Sequence, residues 1–183
     1  MLLQMPRRTY LSCSSDDDSE DDEEDSVKSI KIVVIGDNKV GKTNLISRIV
    51  KNQFNIVYQK TKSIEVHNQI NFGDVTASMW DVPYKIVRYY NISCLNSDAI
   101  ILMYDVDKPE TLDRGIMIWK RMFDVLYKKS IPNLWFVARG KRPEGYSIDY
   151  CPNERLFFVD NMCNTGIKEL MYDIRTTIKN IKK

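Results

Sequence analysis

Eight consecutive residues have the types and spacing needed to hold a phosphate. In Gly36-Asp37-Asn38-Lys39-Val40-Gly41-Lys42-Thr43, glycine stands first and sixth, and a lysine and a hydroxyl residue close the run. This is the pattern G-x-x-x-x-G-K-[ST]. Glycine permits tight turns and close approach of the backbone to a ligand. Successive N–H groups then face the anion, and a helix N-terminus behind them adds partial positive charge. Lys42 would reach the terminal phosphates, and Thr43 would offer its hydroxyl to Mg²⁺.

Other chemistries have little to build on. The chain has four cysteines, Cys13, Cys94, Cys151 and Cys163, with no CxxC spacing, and one histidine, His67. A zinc centre or a Ser-His-Asp triad is therefore not expected. Free thiols point to a reducing compartment, and a cytoplasmic protein is expected. The first residues are too short an apolar stretch for a signal peptide. No apolar run has the length of a membrane span. The sequence ends Lys179-Asn180-Ile181-Lys182-Lys183 without a prenylation cysteine, so no lipid anchor is evident.

A formal net charge of +2 hides a strong asymmetry. Nine of the ten residues from Asp16 to Asp25 are acidic. Apart from that run and the Arg7-Arg8 pair, 25 basic residues stand against 16 acidic ones. A basic body with an acidic tail suits weak contact with anionic membranes, or a solvated surface. No nucleic-acid partner is expected. Residues 1–26 hold too few apolar side chains to offset the entropy of ordering, and a disordered tail is predicted there. Residues 27–183 would then form one domain.

The elements that must position the loop follow from periodicity. Residues 30–35 (IKIVVI) read as a strand buried on both faces, directly before the loop. Residues 42–51 read as a helix directly after it, with Leu45, Ile46 and Ile49 on one face. Strands are predicted at residues 64–70, 75–80, 99–104, 134–138 and 156–159, and helices at 110–127 and 167–181. Strands alternating with helices give an α/β domain whose mostly parallel central sheet is flanked by helices. In such sheets ligands bind beyond the carboxyl ends of the strands.

With these motifs in order, residues 28–183 resemble the small GTPases of the Ras superfamily, and the Rab group in particular. The loop GDNKVGKT is similar to the family's first phosphate motif. Phe54 lies seven residues before Thr61, as in the first switch segment, and Ser63-Ile64-Glu65 is similar to the Gly-Ile-Glu that follows in Rab proteins. Trp80-Asp81 resembles the start of WDTAGQE. The resemblance implies a P-loop NTPase fold, the small GTPase-like G domain. It implies GTP or GDP with Mg²⁺ as ligands. Nucleotide contacts would come from Gly36, Asp37, Asn38, Lys39, Val40, Gly41, Lys42, Thr43, Asn44, Phe54 and Thr61. The metal would be held by Thr43, Thr61 and, through water, Asp81. Effector and regulator proteins would bind through residues 54–65, and the chain would act as a monomer.

Several motifs depart from the family. WDTAGQE becomes Trp80-Asp81-Val82-Pro83-Tyr84-Lys85-Ile86, which puts Tyr84 at the motif glycine and Lys85 at the water-positioning glutamine. Lysine has donors only and cannot accept a hydrogen bond from an attacking water. No intact catalytic residue is thus expected, and hydrolysis should be slow or lost. The guanine-reading Asn-Lys-x-Asp aligns with Arg139-Gly140-Lys141-Arg142, and the later Ser-Ala-Lys with Met162-Cys163-Asn164. Arginine would present donors to guanine's own donors. Guanine preference is thereby put in question, and Arg142 could instead donate to adenine N1. Pro143 and Pro152 leave room for at most a short turn where the family has its fourth helix. A nucleotide-dependent switch in vesicle traffic or signalling, a pseudo-GTPase scaffold and a P-loop kinase or ATPase all remain open. Deleting residues 1–26 is expected to leave the melting temperature unchanged within error; a large drop in a thermal scan would mean that the tail docks.

Overall fold

The computed structural model describes residues 29–73, 75–84, 94, 96–126, 133–148 and 155–181, without the side chains of 119, 121–126, 180 and 181. The predicted acidic tail, Lys85, Cys13 and Cys151 lie outside the described residues. Among the described residues, six strands and three helices follow in chain order: β1 Ser29–Gly36, α1 Lys42–Lys51, β2 Glu65–Asn71, β3 Thr76–Asp81, β4 Ala99–Asp105, α2 Glu110–Leu126, β5 Asn133–Arg139, β6 Leu156–Val159 and α3 Ile167–Ile181. They form one sheet in the order β2-β3-β1-β4-β5-β6. Only β2 runs antiparallel, as a hairpin with β3; the other neighbours pair in parallel. This is the fold class expected from the sequence.

Alternation along the central strands sorts side chains between two cores. From β1, Ile30, Ile32 and Val34 enter one core with Leu45 and Ile46 of α1 and Leu170, Ile174 and Ile178 of α3. Val33 and Ile35 enter the other, with Tyr104 of β4 and Ile118 of α2. Strand β4 is buried at every position, as a central parallel strand must be. Helix α1 has 10 residues, below the length at which an isolated helix is stable in water. Burial of Leu45 and Ile46 contributes roughly 3–6 kcal/mol together. Packing, rather than propensity, therefore holds α1 and the loop before it.

Between residues 142 and 148 the chain makes a turn at Glu144 and Gly145 and no helix; residues 149–154 lie outside the described residues. Strand β2 carries an irregularity between His67 and Ile70, with Gln69 at φ 57°. The periodic reading of residues 64–70 did not anticipate this bulge, which leaves no mark in hydrophobic alternation.

The β1-to-loop junction depends on one close approach. Gly36 is paired with Met103 of β4 and has φ 139°. A Cβ at Gly36 would lie 2.0 Å from the Met103 carbonyl oxygen, a backbone atom that cannot move aside. Gly36→Ala is expected to destabilise the domain by about 3 kcal/mol or more, the upper range for overpacking, as measured by urea unfolding.

Candidate functional site

Buried polar side chains are exceptions in a core, and here they gather in one place. Asp37, Lys42, Asp81, Asp105, Thr111 and Asn161 are all buried, and all lie at or just beyond the carboxyl edge of the parallel strands. Beside them opens a cleft of about 580 Å³, within the usual range for a small-molecule site.

The loop of residues 36–43 forms one end of this cleft. Gly41, at φ 98°, is the N-cap of α1 and provides no side-chain hydrogen bond to the helix. The first-turn N–H groups of α1 thus lack a side-chain cap, which suits an anion. The Lys42 ammonium donates to the carbonyls of Gly36 at 3.0 Å and Asp37 at 2.8 Å. Burial lowers its pKa, while the Asp81 and Asp37 carboxylates oppose that shift. Lys39 adopts a left-handed φ of 63°, and its ammonium lies 5.5 Å from the centre of the Tyr58 ring.

Three oxygens from three segments converge beside Lys42. Thr43 Oγ1 lies 3.0 Å from Thr61 Oγ1 and donates to Asp81 Oδ2 at 2.5 Å; Thr61 Oγ1 lies 3.4 Å from the same carboxylate oxygen. Asp81 Oδ1 is buried with no hydrogen-bond partner. A cluster of hard oxygens with one orphaned carboxylate oxygen fits Mg²⁺.

The other candidates divide between cleft and scaffold. Asn38, Lys39, Gly41, Lys42, Thr43, Asn44, Phe54 and Thr61 line the cleft. Gly36, Asp37 and Val40 do not line it. Val40 packs into the core with α1 and α3, leaving only its backbone for the loop. The Asn44 amide pairs in both directions with the Asn55 backbone, at 3.1 Å each way. Its side chain therefore grips the segment that carries Phe54. The Asp37 carboxylate accepts the N–H of Asn38 at 2.7 Å and the Nε–H of Arg114, on α2, at 2.5 Å.

At the far end of the cleft stand groups that sequence motifs did not single out. Asn161 follows β6 and donates through Nδ2 to the Gly41 carbonyl at 3.1 Å. Arg48 of α1 donates to the carbonyls of Asn161 at 2.7 Å and Met162 at 2.8 Å. The chain after β6 is thus clamped to the phosphate loop. Arg139 lines the cleft, but one of its terminal nitrogens donates to the buried Asp105 carboxylate. Arg142 is not in the cleft: its guanidinium lies 5.7 Å from the Phe158 ring centre and reaches the Tyr146 carbonyl. Pro83 lines the cleft, and Tyr84 packs against the second core.

Residues 31–138 match the family model described as "Ras family". The chain belongs to the Ras family. Relatives of known name are similar at low identity. Rho-related GTP-binding protein RhoE of Homo sapiens is 35% identical over 98 residues, which cover 49% of this chain and 38% of that protein. Ras-related protein RABA2d of Arabidopsis thaliana is 33% identical over 100 residues, covering 50% of this chain and 44% of its own. Ras-related protein Rab11D of Lotus japonicus is 26% identical over 171 residues, covering 82% and 75%. The matched stretch thus spans less than half of RhoE and of RABA2d. Ras-family GTPases in general bind guanine nucleotides and Mg²⁺. Among the described residues, no helix is long and apolar enough to cross a membrane.

The Asp37–Arg114 pair joins the phosphate loop to α2, and losing either partner leaves the other uncompensated. Arg114→Ala and Asp37→Ala are each expected to lower the midpoint of urea unfolding. The double variant should be less destabilised than the two losses added, and strict additivity would show that the pair is uncoupled.

Proposed function

We propose that this chain binds a nucleoside triphosphate with Mg²⁺ and acts as a Rab-like molecular switch in vesicle traffic or signalling. The observation that carries this reading is the convergence of Lys42, Thr43, Thr61 and Asp81 at the uncapped start of α1. Gly41, Lys42 and Thr43 would meet the phosphates with backbone N–H groups, an ammonium and a hydroxyl. Mg²⁺ would be held by Thr43, Thr61 and, through water, Asp81. It would screen negative charge on the phosphate oxygens. Phe54, half-buried at the cleft wall, would pack against the base.

Binding of Thr61 in that cluster would order the segment around it. Ile56 is 85% exposed and Val57 74% exposed, so residues 54–65 offer an apolar surface to effector or regulator proteins. Order of this segment would then report the state of the nucleotide. Hydrolysis is slow or lost in this reading. Pro83 has no N–H, Tyr84 replaces glycine and Lys85 cannot accept from water. The chain would work as a cytoplasmic monomer, with weak contact to anionic membranes.

A second reading, a pseudo-GTPase scaffold, is favoured by the position of Arg142, which lies over Phe158 and away from the cleft. The nucleotide retained by purified protein separates the two, measured by denaturation and chromatography. Stoichiometric nucleoside triphosphate that is lost in Lys42→Ala is the expected result. No retained nucleotide, and no binding of GTP or ATP with Mg²⁺, would favour the scaffold.

A further inference from the structure

The cleft has a phosphate end at Lys42 and Thr43 and a far end walled by Phe54, Arg139, Asp160, Asn161 and Met162. Any base selectivity must come from unspent polar groups at the far end. Arg139 has committed one terminal nitrogen to Asp105. Asn161 has committed its amide N–H to Gly41; its Oδ1 has no hydrogen-bond partner but is buried below the accessible surface, out of reach of a base. Arg142 is turned onto Phe158.

Asp160 differs from all of these. Its Oδ1 accepts the backbone N–H groups of Met162 at 2.8 Å and Cys163 at 3.1 Å. Two donors on one oxygen fix the plane of the carboxylate. Among the described residues, its side-chain hydrogen-bond partner is the Cys163 thiol, a weak donor, and the Lys141 ammonium acts on it as a nearby positive charge. The backbone N–H of Cys163 above all, then the Cys163 thiol, the Met162 N–H and the charge of Lys141, hold the Asp160 pKa below the ordinary aspartate range against partial burial, which opposes them. It therefore stays ionised at neutral pH, an acceptor with capacity to spare.

We propose that Asp160 is the specificity-determining residue of the cleft, and that its free oxygen accepts the N1–H of a 6-oxopurine such as guanine or hypoxanthine. This rests on the reading of the cleft as a nucleotide site. Adenine offers a lone pair at N1, which would face an ionised oxygen and bind poorly. The carboxylate comes from the end of β6, and so supplies the acceptor that Arg142 cannot.

The test is calorimetric titration of the full chain, stripped of bound nucleotide, with GTP, ITP and ATP in Mg²⁺. Wild type, Asp160→Asn and Lys42→Ala are compared. A site built around a hydrogen bond rejects the mismatched analogue strongly, so wild type should prefer GTP and ITP to ATP by about tenfold or more. In Asp160→Asn the amide oxygen keeps the two backbone bonds, and the amide nitrogen becomes a donor. GTP should weaken by about tenfold, because the amide nitrogen would face the N1–H donor, while ATP, whose N1 lone pair can accept from that nitrogen, should strengthen. That gain cannot come from misfolding. Equal binding of GTP and ATP by wild type overturns the proposal, as does an unchanged preference in Asp160→Asn. If GTP binding depends on Lys42 but not on Asp160, this inference falls and the nucleotide site stands. If wild type binds no nucleotide, both fall.

Discussion

A lysine ammonium held beneath the carboxyl edge of the sheet is the constraint on which this structure turns. Lys42 is 8% exposed. A charge placed there loses most of its hydration, and the cost must be met by nearby oxygens. Two of them are the carbonyls of Gly36 and Asp37, which can point inward only if the chain turns sharply as it leaves β1. That turn requires Gly36 to press against the Met103 carbonyl, and so requires β1 and β4 to pair in parallel at this register. The Asp37 side chain then serves a different purpose from its carbonyl. Its carboxylate ties the loop to α2 through Arg114, so the loop is fixed from the sheet and from a helix at once.

Rigidity at one side of the cleft contrasts with weak anchoring at the other. Residues 52–64 contain no strand or helix, and Ile56, Val57 and Tyr58 are all exposed. What holds most of this segment is polar: Arg48 against Asn52 and the Phe54 ring, the Asn44–Asn55 pair, the Lys39–Tyr58 contact and Thr61 against Thr43 and Asp81, with Ile64 packing on the second core at its end. Exposed hydrogen bonds of this kind contribute only about 0.5–1.5 kcal/mol each. Segments with few buried apolar contacts lie at the low-stability end of a fold. A ligand that engages Thr61 could thus change the order of this segment without disturbing the two cores behind it.

Much of this was legible in the sequence, because periodicity and motif spacing are local. The runs IKIVVI and AIILMY could be buried on both faces only as inner strands, and they are β1 and β4. Gly36, Gly41, Lys42 and Thr43 were fixed by a pattern whose every place has a steric or electrostatic reason. Less legible was anything set by contacts distant in sequence. Arg114 lies 77 residues from Asp37, and Asn161 lies 120 from Gly41. Neither has a neighbour in sequence that marks it out. Asn44 counted as a phosphate-loop residue by position, yet its amide faces Asn55. The bulge in β2 was hidden for a related reason, since half-exposed strands carry little apolar signal to break.

Replacement of the base-reading motif has a physical logic that position-by-position comparison misses. An arginine at the carboxyl end of β5 brings a permanent positive charge to the lip of a buried polar cluster. Asp105, its partner in register on β4, is 2% exposed, and apart from Arg139 its charge is met only by Lys108 at 3.9 Å and the Asp107 N–H at 3.2 Å among the described residues. Arg139 and Asp105 neutralise each other through a charge-assisted hydrogen bond, and Thr111 takes up the Asp105 N–H from the start of α2. Arginine is therefore accommodated at position 139 by the sheet itself, without reference to any base. At position 142 the guanidinium finds an aromatic face in Phe158 on the side of the second core. Arg139 thus gives one terminal nitrogen to the sheet, and Arg142 packs outside the cleft. The polar character of the far end then passes to the chain after β6, which Arg48 already clamps to α1. Loss of a recognition motif at one strand end thus leaves intact the scaffold that could present an acceptor from the next.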